Sequence, residues 1–94
     1  MSAQYQYRAA VVEGLAAHGL HPLPSTPPQF LRDAVRDLYR YEIKALRSAF
    51  VAGRIPKAGY ADRVIELRKR YWLLSVPLQL WTEGSGPPAP TDVR

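Results

Sequence analysis

The chain has 94 residues and a mass of 10.6 kDa, which allows no more than one domain. It contains no cysteine, so disulfides, thiolate metal ligands and cysteine nucleophiles are excluded. Thirteen Lys and Arg residues outweigh eight Asp and Glu residues, and the resulting net charge of +5 favours a partner that carries negative charge.

The first predicted element is a short helix from about Ala3 to His18. Three apolar residues spaced by four would share one face of this helix: Tyr7, Val11 and Leu15. Four prolines follow between positions 21 and 28, and prolines cannot donate the N–H groups that a helix or a strand needs. We therefore interpret residues 1–26 as an N-terminal helix with a proline-rich linker.

Two longer helices are predicted next, at Pro27–Ala52 and Pro56–Ser75, with a short turn between them. The first has a broad apolar stripe: Leu31, Val35, Leu38, Tyr39, Ile43, Leu46 and Phe50. The second alternates spacings of four and three, as helices packed nearly antiparallel do: Tyr60, Val64, Leu67, Tyr71 and Leu74. This pattern predicts an antiparallel hairpin whose inward-facing residues include Tyr39, Leu46, Val64, Leu67 and Tyr71.

Pro77 is expected to end the second hairpin helix. A short apolar patch follows at Leu78, Leu80 and Trp81, and it can fold back over the hairpin. Residues 83–94 are rich in proline and glycine, so we predict a disordered tail that is dispensable for folding. The predicted fold is all-α: a small three-helix-type bundle centred on a long antiparallel helical hairpin, with a disordered C-terminal tail.

The clearest charged feature is a row of bases on the first hairpin helix, which we name the basic row: Arg36, Arg40, Lys44 and Arg47. Their spacings of four, four and three place all four along one side of the helix. The second hairpin helix adds Arg63, Arg68, Lys69 and Arg70. Two interpretations remain open here. Nearby carboxylates could pair with these bases on a solvated face, or the guanidinium groups could bind phosphate oxygens.

Catalytic and metal chemistry have little support in the sequence. Asp33 and Asp37 lie one turn apart, but the arginines around them keep both carboxylates ionised and exposed. His18 and His21 are the only two histidines, and there is neither a serine-histidine-acid arrangement nor a glycine-rich phosphate loop. No apolar stretch approaches the roughly 18 to 20 residues that span a bilayer. We predict no enzyme, no metal site and no membrane span.

A family resemblance begins at the string Leu38-Tyr39-Arg40. The matching residues downstream are Lys44, Arg47 and Phe50, and the next helix adds Tyr60, Arg63, Arg68 and Arg70. Together they resemble the motif of the LYR proteins, the complex-I LYR family, over about residues 34–71. Members of that family are small, basic, three-helix mitochondrial proteins. The resemblance therefore implies that residues 27–82 form an LYR-like hairpin with a short C-terminal apolar segment.

In that family the partner is mitochondrial acyl carrier protein, whose acyl chain inserts between the helices. The resemblance implies that no cofactor binds directly and that the acyl-phosphopantetheine arm of the carrier is the ligand. The implied site for the partner and its anionic groups is Leu38, Tyr39, Arg40, Lys44, Arg47, Phe50, Arg63, Arg68 and Arg70. Within this set we expect Arg40, Lys44 and Arg47 to be the principal contacts.

The implied function is that of a non-enzymatic accessory subunit or assembly factor, hetero-oligomeric with a larger complex of the respiratory chain or the mitoribosome. The implied location is the mitochondrial matrix or the matrix side of the inner membrane. The alternative is a small basic RNA-binding or ribosome-associated structural protein that uses the same Arg/Lys face. RNA binding would weaken steeply with salt, whereas carrier binding would require the acylated arm.

Overall fold

A computed structural model of the chain describes residues 4–83. In this part of the chain there are three α-helices, which are α1 (Ala9–Ala16), α2 (Pro28–Val51) and α3 (Lys57–Arg70). Two 3₁₀ turns follow α3, at Trp72–Ser75 and Leu78–Leu80. The predicted all-α fold, centred on the antiparallel hairpin of α2 and α3, is confirmed. The predicted tail lies outside the described residues except for its first residue, Glu83.

The long hairpin helix follows its sequence signals closely. Pro28 occupies the first turn of α2, where a missing N–H costs nothing, and Pro27 before it is extended, with φ −62° and ψ 135°. At the other end Gly53 has a φ of +80°, in the left-handed region that glycine enters without steric cost. Both ends of α2 therefore lie within one residue of the predicted Pro27–Ala52.

The first helix is shorter than predicted, because α1 begins at Ala9 rather than near Ala3. Residues 4–8 are not helical, and several of them are held by distant parts of the chain. The Arg8 N–H donates to the Trp81 carbonyl (3.1 Å), and Tyr7 forms an isolated antiparallel bridge with Thr82. The Glu83 N–H donates to the Gln6 carbonyl (2.8 Å), so the first residue of the predicted tail is hydrogen-bonded to the N-terminal segment.

The third helix also ends earlier than predicted, at Arg70 instead of Ser75. Tyr71 leaves the helical region with φ −102° and ψ 37°, and the chain then tightens into the 3₁₀ turn at Trp72–Ser75. Tyr71 and Leu73 are both buried, at 4% and 0% exposure. On a continuous α-helix they would lie about 200° apart. The change of winding turns both side chains inward.

The hydrophobic core lies at one end of the hairpin and joins every element. Its members are Val11, Leu15, Leu31, Val35, Leu67, Tyr71, Leu73 and Trp81. Gly14 lets α1 pack closely on the 3₁₀ turn, because a Cβ there would lie 2.9 Å from the Trp72 ring. Of the C-terminal apolar patch, Trp81 is completely buried and Leu78 packs against the core, whereas Leu80 is 47% exposed.

Beyond this core the hairpin consists of two helices alone. Within residues 4–83, Val35 is the last fully buried core residue of α2 and Leu67 the first of α3, and Tyr39 and Ile43 pack against this core while only half-buried. A small second cluster holds the turn, where the Phe50 and Tyr60 rings stack at 4.4 Å. Of the residues predicted to face inward, Leu67 and Tyr71 are buried, whereas three are half-buried: Tyr39, which packs against the core, and Leu46 and Val64. The reason is that no third helix covers this stretch.

Candidate functional site: the basic row and the hairpin groove

Three members of the basic row stand free on the surface of α2. Arg40, Lys44 and Arg47 are exposed, and they cover about 10 Å of one helix side at 1.5 Å per residue. In the described part of the chain, the ion pairs are Arg36 with Asp33 at 3.6 Å and Arg70 with Glu42 at 2.9 Å. The interpretation of a paired, solvated face therefore fits Arg36 and Arg70, whereas the other three bases are available to an anion.

The apolar residues of the Leu-Tyr-Arg motif mostly make contacts within the chain. Tyr39 is half-buried and meets the edge of Tyr71, with ring centroids 5.4 Å apart. Phe50 stacks on Tyr60 near the turn. Leu38 is 38% exposed. Tyr39 and Phe50 thus hold α2 and α3 together, and Leu38 remains accessible.

A shallow groove of about 670 Å³ runs between α2 and α3, and we name it the hairpin groove. Its apolar lining comprises Tyr41, Ala45, Leu46, Ala49, Ile55 and Leu67, and its charged lining comprises Glu42, Arg63, Glu66 and Arg70. Tyr41 is 75% exposed, so a large aromatic surface stands beside the groove. Two of the predicted site residues, Arg63 and Arg70, lie here.

The basic row and the hairpin groove face different directions. At 100° per residue, the α2 residues of the groove point roughly 160° away from Arg40, Lys44 and Arg47. Arg68 lines a smaller pocket of about 310 Å³ with Tyr39, Tyr71, Trp72, Leu74 and Ser75. The structure therefore brings Arg40, Lys44 and Arg47 together and places Arg63, Arg68 and Arg70 on other surfaces.

A polar cluster that the sequence did not reveal fastens α2 to α3. The Glu42 carboxylate accepts hydrogen bonds from the Arg70 guanidinium (2.9 Å) and from the Tyr71 hydroxyl. On the other side of Tyr71 the His18 ring stacks at 4.4 Å. Burial, then the hydrogen bond to Glu42 and its charge, raise the pKa of Tyr71 to about 12. Helix periodicity marks Glu42 only as an acid among bases, because it carries no information about contacts 28 or 29 residues away.

The two perturbed tyrosines predict a loss of stability in alkali. The Tyr7 hydroxyl donates to the Thr26 carbonyl (2.5 Å), and burial, with the nearby Tyr5, raises the pKa of Tyr7 to about 12. Because both folded-state pKa values lie above the ordinary 10.0, the contribution is complete below pH 10. It is lost as the pH rises from 10 to 12, where the unfolded chain gives up these protons first.

Urea denaturation across this pH range checks the prediction. The double variant Tyr7→Phe with Tyr71→Phe should be less stable at neutral pH, and its stability should fall less steeply in alkali than that of wild type. Tyr41→Phe, at an exposed position, is the matched control and should keep the wild-type slope. Equal slopes for the double variant and wild type would contradict the assignment.

Two further kinds of site were looked for in the described residues, namely a metal site and a membrane span. Among residues 4–83, no three His, Asp or Glu side chains are grouped so that they could hold a metal ion. No helix in that range is both long enough and apolar enough to cross a membrane. Searches of family models, of curated proteins and of solved structures found no match to this chain.

Proposed function

We propose that this chain is a non-enzymatic binding module that receives an acidic partner on Arg40, Lys44 and Arg47. The observation that supports this proposal is that the three side chains are exposed and make no ion pair within residues 4–83. The helix fixes their spacing along one side, so a partner with a matching line of negative charge has to order only the side chains and not the backbone. Such a row steers an acidic protein during encounter and fixes its register after docking.

The LYR resemblance names the partner within this proposal. An acyl carrier protein offers an acidic helix surface and the phosphate of its phosphopantetheine arm, and guanidinium groups bind phosphate oxygens well. We therefore propose an accessory subunit or assembly factor of a mitochondrial complex, in the respiratory chain or the mitoribosome. The proposed location is the matrix or the matrix side of the inner membrane.

Reversing two of the three charges tests this function. We expect Arg40→Glu combined with Lys44→Glu to abolish binding to an acylated carrier protein. Each charge-assisted contact contributes about 1.5 to 3 kcal/mol when partly desolvated, so the loss of two corresponds to roughly a hundredfold or more in Kd. Helicity should not change, because both positions are exposed. Calorimetry gives the affinity and circular dichroism gives the helicity.

The control and the alternative outcomes are built into the same experiment. Arg8→Glu reverses one charge at an exposed position outside α2, and it should leave binding intact. Carrier protein without its acylated arm should bind more weakly than the acylated form. If the double reversal leaves binding of the acylated carrier unchanged, the proposal fails. If the same variant instead loses RNA binding, with a shallower salt slope than wild type, the alternative replaces it.

A further inference from the structure

The hairpin groove is an apolar surface that the described chain leaves uncovered. The core meets the groove only at Leu67, and α1 packs on the far side of that core, where Gly14 meets the 3₁₀ turn. The groove follows α2 over two turns, from Tyr41 to Ala49, which is about 12 Å. Ala45 is exposed and Leu46 is half-buried along this length. A helical partner could lie along this surface in register with both helices.

The charges around the groove indicate what kind of surface would cover it. Its lining has two arginines and two glutamates, so it is neutral although the whole chain carries +5. Glu42 and Arg70 pair with each other. Arg63 and Glu66 are exposed and form no ion pair in the described chain. These two unpaired charges of opposite sign lie one turn apart on α3. A partner that carries an anion opposite Arg63 and a cation opposite Glu66 would complement them.

A second copy of the same hairpin, laid antiparallel, offers that order. We propose that the hairpin groove is the interface of a homodimer in which two hairpins form a four-helix bundle. A twofold axis across α3 sets Arg63 of one copy against Glu66 of the other, and the reverse pair follows by symmetry. Tyr41 supplies an exposed aromatic group beside the contact, and such groups are frequent anchors of interfaces.

The dimer leaves the proposed partner site free. Arg40, Lys44 and Arg47 lie on roughly the opposite side of α2 from the groove, so they stay on the outer surface of the bundle. The dimer therefore leaves the basic row accessible, although it covers the space between the two helices. The groove has no net charge that would attract an acidic protein or RNA. A second copy, with the same two charges in reverse order, is therefore the preferred partner.

Sedimentation equilibrium of the full chain tests the inference. The wild type should dimerise reversibly over a concentration series that reaches about 1 mM, the weakest affinity worth considering for a specific contact. Arg63→Glu and Glu66→Arg should each weaken the dimer by roughly tenfold, since each change sets like charges against one another at two symmetric places. Both positions are exposed, and circular dichroism should show that each variant remains folded.

The decisive arm mixes the two single variants. An equimolar mixture should form a heterodimer at close to wild-type affinity, because the carboxylates of one variant then face the guanidinium groups of the other. The double variant, with both substitutions in one chain, should recover the homodimer in the same way. Arg40→Glu is the control and should not change the dimer. A wild type that stays monomeric throughout, or single variants that do not recover on mixing, would overturn the proposal.

Discussion

Trp81→Ala is expected to destabilise the protein by about 3 to 5 kcal/mol, which is a large part of the total stability of so small a domain. The side chain is completely buried and belongs to the core that joins the helices. Its indole Nε1 donates to the Val76 carbonyl (3.2 Å). Its removal leaves a cavity and an unpaired acceptor together. Urea denaturation followed by circular dichroism measures the loss.

Trp72→Ala is the matched control for this prediction. Trp72 is 40% exposed, so the same substitution removes less buried surface and should cost clearly less than Trp81→Ala. If the two variants lost equal stability, or if Trp81→Ala cost less than about 1 kcal/mol, Trp81 would not fill the core in solution. The fold would then lack the anchor that holds its C-terminal segment.

Leu67→Ala is expected to cost about 2 to 5 kcal/mol, whereas Leu46→Ala should cost about 1 to 2 kcal/mol. Both are leucines on the facing sides of α2 and α3, and the sequence predicted that both face inward. Leu67 is 5% exposed and lies in the core. Leu46 is half-buried and lines the open hairpin groove, so its deletion leaves less of a cavity.

The comparison is made by urea denaturation at a low protein concentration, at which a weak dimer is dissociated. Val64→Ala changes a half-buried position on α3 and is a further comparison. Its loss of stability should be close to that of Leu46→Ala. Equal losses for Leu46→Ala and Leu67→Ala would show that the groove is closed over in the monomer. That result would contradict the open groove between α2 and α3.

The helices and the hairpin were predictable because their determinants are local. Apolar spacing of three and four marked α2 and α3, and the proline at one end of α2 and the glycine at the other placed its limits to within one residue. The same apolar spacing predicted that Leu67 and Tyr71 face inward, and both are buried. The spacing of Arg40, Lys44 and Arg47 was likewise enough to place them along one helix side.

Only the tertiary structure decided the features that depend on residues far apart in the chain. Residues 4–8 are not helical, and Gln6, Tyr7 and Arg8 pair instead with residues 81–83. The Glu42 carboxylate accepts hydrogen bonds from Arg70 and Tyr71 and does not pair with the basic row. Periodicity specifies one face of each helix, but it does not specify what covers that face. A third element covers only one end of the hairpin, so Leu67, at the boundary of core and groove, is buried, whereas Leu46 is half-buried.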